Sequence, residues 1–215
     1  FMNKEKKSVI VVPMKNPDIS KSRLSGSLAP EARKRLAVLL FKNTIDILIE
    51  SVQMSGKKFD IAVITNSKQI KNIAEEKCIL VIQDDEEPIL SNSIAKASHW
   101  ANHNAYKSMC VIPADLADPK ITEIISFISH PLADKGLAIT PSIDLGTNAL
   151  HLSPANLIDF YYGKKSFLKH INAAKNIGII PVILPYDSLR FDIDTSSDLE
   201  ELFASNPRLV EQVHR

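Results

Sequence analysis

Short β-branched apolar runs alternate along the chain with longer stretches whose apolar residues recur every three or four positions. Ser8 to Pro13 is one continuous apolar run, the pattern of a strand covered on both faces. A polar loop follows from Met14 to about Ala29. Pro30 then opens a helix, because proline fits the first helical position, and Leu36, Leu39, Leu40 and Ile47 recur at helical spacing behind it. The same reading predicts strands at Ile61–Thr65, Ile79–Ile82, Met109–Pro113 and Leu137–Pro141. It predicts helices near Lys68–Glu76, Ser93–Asn104 and Asp118–Ser129. Beyond these, Leu145–Leu152 reads as an added strand or hairpin, Lys164–Asn176 as a helix and Ile179–Leu184 as a strand. Arg190–Ile193 reads as a short strand and Thr195–Phe203 as a closing helix.

Strand–helix alternation with apolar central strands defines an α/β fold: a mostly parallel central sheet flanked by helices, with right-handed crossovers. No repeat, low-complexity tract or linker interrupts it. The expectation is a single domain over residues 1–215, with a small β excursion at about 145–189.

Composition narrows the function. A chain of 215 residues that is 45% hydrophobic buries enough surface to fold without disulfides. Its 26 basic and 25 acidic residues leave a formal net charge of +1, which excludes a nucleic-acid binder relying on bulk electrostatics. Trp100 and the tyrosines form no stacking series. No apolar stretch approaches the ~20 residues of a membrane span. Phe1 ahead of Met2 reads as an expression remnant, and the charged start leads into too short an apolar run for a signal peptide. Cys78 and Cys110 lie in apolar runs and are expected as buried thiols in adjacent strands, a usage that fits a cytoplasmic protein.

Glycine is scarce: six residues, all isolated, against an average near ~7% of a chain. Neither a P-loop nor a G-x-G-x-x-G fingerprint can be assembled from them. Phosphate binding, if present, must rest on something other than glycine-loop amides.

Ligands of open α/β sheets sit outside the carboxyl ends of the strands, which singles out four polar segments. The loop after the first strand carries Lys15, Lys21 and Arg23, able to hold a polyphosphate or simply to solvate a surface. Pro113-Ala114-Asp115-Leu116 ends a buried strand with a carboxylate, either a turn cap or a ligand for a hard cation. In Asp192-Ile193-Asp194-Thr195 the strand period puts both aspartates on one face, although Asp194 also suits a helix N-cap. Two such close charges plus Asp115 point to a Mg²⁺ site. Last, Gly146-Thr147-Asn148 is followed by Gly163 to Ser166 at a helix start, an anion site or an ordinary cap. His99 and His103, one helical turn apart, lack a third ligand and read as a solvated face.

Taken in order, Lys21-Ser22-Arg23-Leu24, Pro113 to Leu116, Gly146 to Leu150, Gly163 with Ser166, Phe167 and His170, and Asp192 to Thr195 resemble the guanylyltransferases of deazaflavin (F-420) coenzyme biosynthesis. The resemblance runs from about Val9 to Leu202. It implies a Rossmann-like nucleotidyltransferase domain using GTP, Mg²⁺ and a small phosphorylated acid: 2-phospho-L-lactate, phosphoenolpyruvate or 3-phosphoglycerate. By the same resemblance Asp115, Asp192 and Asp194 would hold the metal, and Lys21, Arg23 and Asp115 would be catalytic. Pro13, Lys15, Lys21, Arg23 and Asn92 would bind the nucleotide, and Thr147, Asn148, Gly163 and Ser166 the acceptor. Leu90-Ser91-Asn92 keeps only the asparagine of the family's Gly-Leu-Asn, and Ala117 replaces a usual proline. The alternatives are a nucleotidyltransferase for a sugar phosphate or molybdopterin, and a non-catalytic nucleotide-binding module. A homodimer is compatible with such a fold, but the sequence marks no interface.

Overall fold

A computed structural model describes residues 7–215; the readings of Phe1 and of the charged start concern residues largely outside that range. Among the described residues, seven strands form one sheet in the order β3-β2-β1-β4-β6-β5-β7. Ser8–Pro13 (β1) lies inside it, parallel to Phe59–Thr65 (β2) and Met109–Val111 (β4), and Leu80–Gln83 (β3) forms one edge. Thr147–Ser153 (β6) runs antiparallel to both β4 and Gly136–Pro141 (β5). Val182–Ile183 (β7) pairs parallel with β5. The sheet is mostly parallel, as the alternation of elements predicts, and β6 is its one reversed strand among the described residues.

The period of two in β1 explains the layers. Ile10 and Val12 point into a core shared with the helix Pro30–Ser55 (α1), Lys68–Glu76 (α2) and Ile121–Ser129 (α4). Val9 and Val11 point into the opposite core, under Leu90–His103 (α3) and Ser166–Asn176 (α5). All four are fully buried, as a strand covered on both faces requires. Pro30 takes the first turn of α1 and Gly56, at φ 63°, ends it.

A third apolar cluster joins Leu24, Leu28 and Leu36 to Ile193, Leu199 and Leu202. It seats the first loop and the helix Ser196–Ser205 (α6) against the start of α1. Pro207–His214 (α7) closes the cluster through Leu209 and Val213. This last helix was not anticipated from the pattern, although Pro207 and the i, i+4 pair Leu209 and Val213 announce it.

Several expectations are corrected. Cys78 is exposed, because it is the positive-φ residue (56°) that ends α2 and precedes the strand, whereas Cys110 is buried in β4. Arg190–Ile193 is no strand; one antiparallel bridge, Leu116 to Asp192, replaces a ladder. The Ile193 carbonyl instead accepts from the Lys21 ammonium. The expected strand at Ile179–Leu184 shrinks to Val182–Ile183, and α4 begins at Ile121 rather than Asp118.

Candidate functional site

Two separate stretches of chain are clamped together at the carboxyl end of the central strands. The Leu116–Asp192 bridge is flanked by Ala117 N–H donating to the Phe191 carbonyl (3.0 Å) and Ile193 N–H donating to the Asp115 carbonyl (3.3 Å). Ile193, fully buried, anchors the second stretch in the core. Asp192 and Asp194, on either side of it, bring their carboxylates to Asp115. The three residues each offer a carboxylate oxygen, and these atoms lie within 4.8 Å of one another.

Lys21 sits among these carboxylates. It occupies the left-handed region (φ 56°), which costs a non-glycine residue about 1–2 kcal/mol and is held here by the contacts of its side chain. Its ammonium is nearly buried, bonds Asp115 and the Ile193 carbonyl, and lies 3.6 Å from Asp194. Burial pulls the Lys21 pKa down, but the charges of Asp115, Asp194 and Asp192 outweigh it and the net shift is upward. Burial first, then the charge of Asp115, push the Asp192 carboxyl up to about 6, opposed by the Asn148 amide, which donates to it at 3.0 Å. Arg23 is exposed and reaches Asp194 at 3.1 Å.

The ambiguities over capping resolve locally. The N-cap of α6 is Thr195, whose hydroxyl accepts from Asp198 N–H, while Asp198 accepts from Thr195 N–H in a capping box. Asp194 is therefore free to face the cations. Asp115 caps no helix either, since α4 begins after Lys120.

A cavity of about 350 Å³ opens on one side of the three aspartates. Pro13, Lys15, Lys21, Asp115 and Asp194 line it, as do Asp84, Pro88, Leu90 and Ser93. Asn92 is exposed and outside this lining, whereas the neighbouring Ser93 is buried within it. Asp84 and Ser93 went unnoticed in the sequence. Asp84 heads the acidic run Asp84 to Glu87 and differs from its exposed neighbours only in following β3 directly.

On the other side, Asn148 links Asp192 to β6, and Thr147 beside it accepts from the Ser166 hydroxyl (3.1 Å). Ser166 is buried and Gly163 exposed at φ 110°. Leu145 (φ 66°) and Lys165 (φ 55°) are also in the left-handed region, so with Lys21 three of the five positive-φ non-glycine residues among the described ones belong to the site and its surroundings. His170 completes the patch, bonded to Thr147 at 2.9 Å. His99 and His103 lie exposed on α3.

A half-buried, all-oxygen donor set of three carboxylates suits a hard divalent cation, and Lys21 and Arg23 neutralise only part of its charge. The α/β sheet with one reversed strand and acidic residues beyond its carboxyl edge shares its fold with solved nucleotidyltransferases, among them one from Methanothermobacter at a TM-score of 0.63 and 13% identity over 94% of this chain and all of the other. The fold agrees with a solved protein from Desulfovibrio desulfuricans G20 described as a nucleotide-diphospho-sugar transferase, at a TM-score of 0.69 and 14% identity over 97% of this chain and 98% of the other. The chain belongs to the guanylyl transferase CofC-like family, whose model matches residues 8–207. It is 32% identical to the 3-phospho-D-glycerate guanylyltransferase of Colwellia psychrerythraea over 96% of each chain. It is also 32% identical to the 2-phospho-L-lactate guanylyltransferase of Methanocaldococcus vulcanius, over 91% of this chain and 84% of that one. No helix among the described residues is long and apolar enough to cross a membrane.

Proposed function

We propose that this chain transfers GMP from GTP to a small phosphorylated acid, releasing pyrophosphate, in the making of a deazaflavin (F-420) type coenzyme. The observation that carries the reading is the convergence of Asp115, Asp192 and Asp194 around Lys21, between a cavity on one side and the Thr147–Ser166 patch on the other. The single domain divides its work accordingly. Pro13, Lys15, Lys21 and Arg23 serve the nucleotide side, and the segment 145–189 supplies Thr147, Asn148, Gly163 and Ser166 to the acid.

A phosphate oxygen of the acid attacks the α-phosphorus, forming one P–O bond as the bond to the β-phosphate bridging oxygen breaks. Pyrophosphate leaves with that electron pair. A phosphate monoester is largely dianionic at neutral pH, its second pKa being about 6, so no general base is needed. What the chain must supply is alignment and neutralisation of two anions. Lys21 and Arg23 give fixed positive charge, and Asn148 and Thr147 orient the acceptor. Mg²⁺ held by Asp115, Asp192 and Asp194 would add electrostatic stabilisation of the phosphates.

Of the three acids, 3-phosphoglycerate comes first, because a relative covering 96% of both chains is named for it. Pyrophosphate release should be measured with GTP, Mg²⁺ and each acid in turn. Release with one acid and not with a sugar phosphate supports the reading; no release with any acid removes it.

A further inference from the structure

Resting on the cavity as the nucleotide site, we propose that Asp84 selects guanine, accepting the N1–H and the 2-amino group of the base on its carboxylate. Asp84 follows the last residue of β3 and lines the cavity while only 8% exposed. Its backbone N–H is tied to the Thr65 carbonyl at 3.0 Å, which fixes its place beyond β2 and β3. One carboxylate oxygen accepts from Asp85 N–H at 2.9 Å and the other from the Ser93 hydroxyl at 2.7 Å. A carboxylate has about four lone-pair sites, so each oxygen keeps accepting capacity. Asp84 takes part in none of the ion pairs found among the described residues, and the neighbouring Lys96 is engaged by Asp85 at 2.7 Å. A buried carboxylate without a cation is costly, and donors on a bound ligand relieve that cost.

Position supports the same assignment. In the order β3-β2-β1-β4, Asp84 stands three strand spacings from Asp115, roughly 14 Å along the carboxyl edge. A nucleoside triphosphate laid along that edge with its phosphates at Lys21 brings its base to Asp84. Pro13, Met14, Pro88 and Leu90 give apolar surface for the base. The edge chemistry then selects. Guanine presents two adjacent N–H donors to a carboxylate. Adenine and cytosine pair a donor with an acceptor nitrogen, and uracil flanks its one N–H with carbonyl oxygens that a carboxylate repels.

The test is equilibrium binding of GTP, inosine triphosphate and xanthosine triphosphate to the full chain and to Asp84→Asn, with pyrophosphate release followed in parallel. The parent should bind the inosine nucleotide, which lacks the 2-amino group, about 10-fold or more weaker than GTP. It should bind the xanthosine nucleotide, with a carbonyl there, about 100-fold weaker. An asparagine amide offers one donor and one acceptor, so Asp84→Asn should lose GTP about 100-fold and prefer the xanthosine nucleotide. The proposal is overturned if the parent binds GTP and the inosine nucleotide equally, or if the variant keeps the parental ranking. Should the variant not fold, the parental ranking decides alone. Absence of pyrophosphate release with every acid would remove the transfer reaction but leave this ranking measurable.

Discussion

His170 holds Thr147 by a hydrogen bond whose direction is fixed. The Tyr161 backbone N–H donates to Nε2 of His170 at 2.9 Å, so the neutral ring carries its proton on Nδ1 and donates to Thr147 Oγ1, also at 2.9 Å. Ser166 donates to the same oxygen at 3.1 Å. With both lone pairs occupied, the Thr147 hydroxyl has only its proton to offer, and an anionic acceptor is the natural recipient. Thr147→Val keeps the shape and removes that donor. The expected result is a rise of about 10–100-fold in KM for the phosphorylated acid, with KM for GTP unchanged. His170→Leu should act in the same direction but less, and separate titration of the two substrates distinguishes this from a general loss of fold.

Buried histidines also set the acid limit of stability. Burial foremost holds both His151 and His170 down to about 4, against an ordinary value near 6.5. Between those values the unfolded chain binds a proton at each site and the folded chain does not. Stability is therefore full above about pH 6.5 and is lost as pH falls toward 4. At pH 5 the loss should be about 2 kcal/mol per histidine. Urea midpoints at pH 7 and pH 5 measure it, and His170→Leu should flatten part of the slope.

The sheet was legible because its signals are local: a continuous apolar run in β1, proline at the start of α1, helical spacing behind it. The aspartates were legible by their spacing, Asp192 and Asp194 on either side of Ile193, although the strand expected there is a single bridge. Which carboxylate caps a helix was not, because Asp194 and Thr195 both suit the N-cap and only the bond from Asp198 N–H to Thr195 decides. Asp84 stayed hidden for a related reason. Its partners Ser93 and Thr65 lie outside the acidic run, and within that run only its place directly after β3 sets it apart. Cys78 misled because its left-handed turn at the end of α2 directly abuts the apolar run of β3.

Removing Lys21 separates its roles. In Lys21→Met the three carboxylates lose their buried cation, and breaking such a pair on one side costs about 3–5 kcal/mol where burial is complete. Without divalent cation the variant should melt well below the parent. Added Mg²⁺ should raise its Tm more than the parent's, because the uncompensated carboxylates then have a stronger claim on the metal. Turnover should fall about 100-fold or more. Equal Mg²⁺ gains in both proteins would show that Lys21 and the cation do not share these charges.

Gly146 tests whether the turn before β6 serves substrate binding. A Cβ built there meets Ser142 Oγ at 2.5 Å and Asp144 Oδ1 at 3.1 Å. Those two atoms are themselves hydrogen-bonded, and Asp144 also accepts from Gly146 N–H. Gly146→Ala should rotate Ser142 out of its bond, costing about 1 kcal/mol, and displace the adjoining Thr147. The expected sign is a raised KM for the acid with a modest drop in Tm. A drop in Tm with unchanged acid KM would detach this turn from substrate binding.

Thr195 ties the backbone of Asp194 to helix α6. Asp198 accepts from the backbone N–H groups of both Asp194 (3.0 Å) and Thr195 (2.6 Å), so the capping box fixes the backbone that carries Asp194 as well as the start of the helix. Thr195→Ala leaves Asp198 N–H without its acceptor and should cost about 1 kcal/mol, read as a shift in urea midpoint. A lost cap alone would stop there. Because the same box positions Asp194, the Mg²⁺ concentration for half-maximal turnover should also rise several-fold, with KM for GTP at saturating metal little changed. Thr195→Ser retains the acceptor oxygen and should restore both quantities; if it restores stability but not the Mg²⁺ requirement, Asp194 is positioned by something other than this cap.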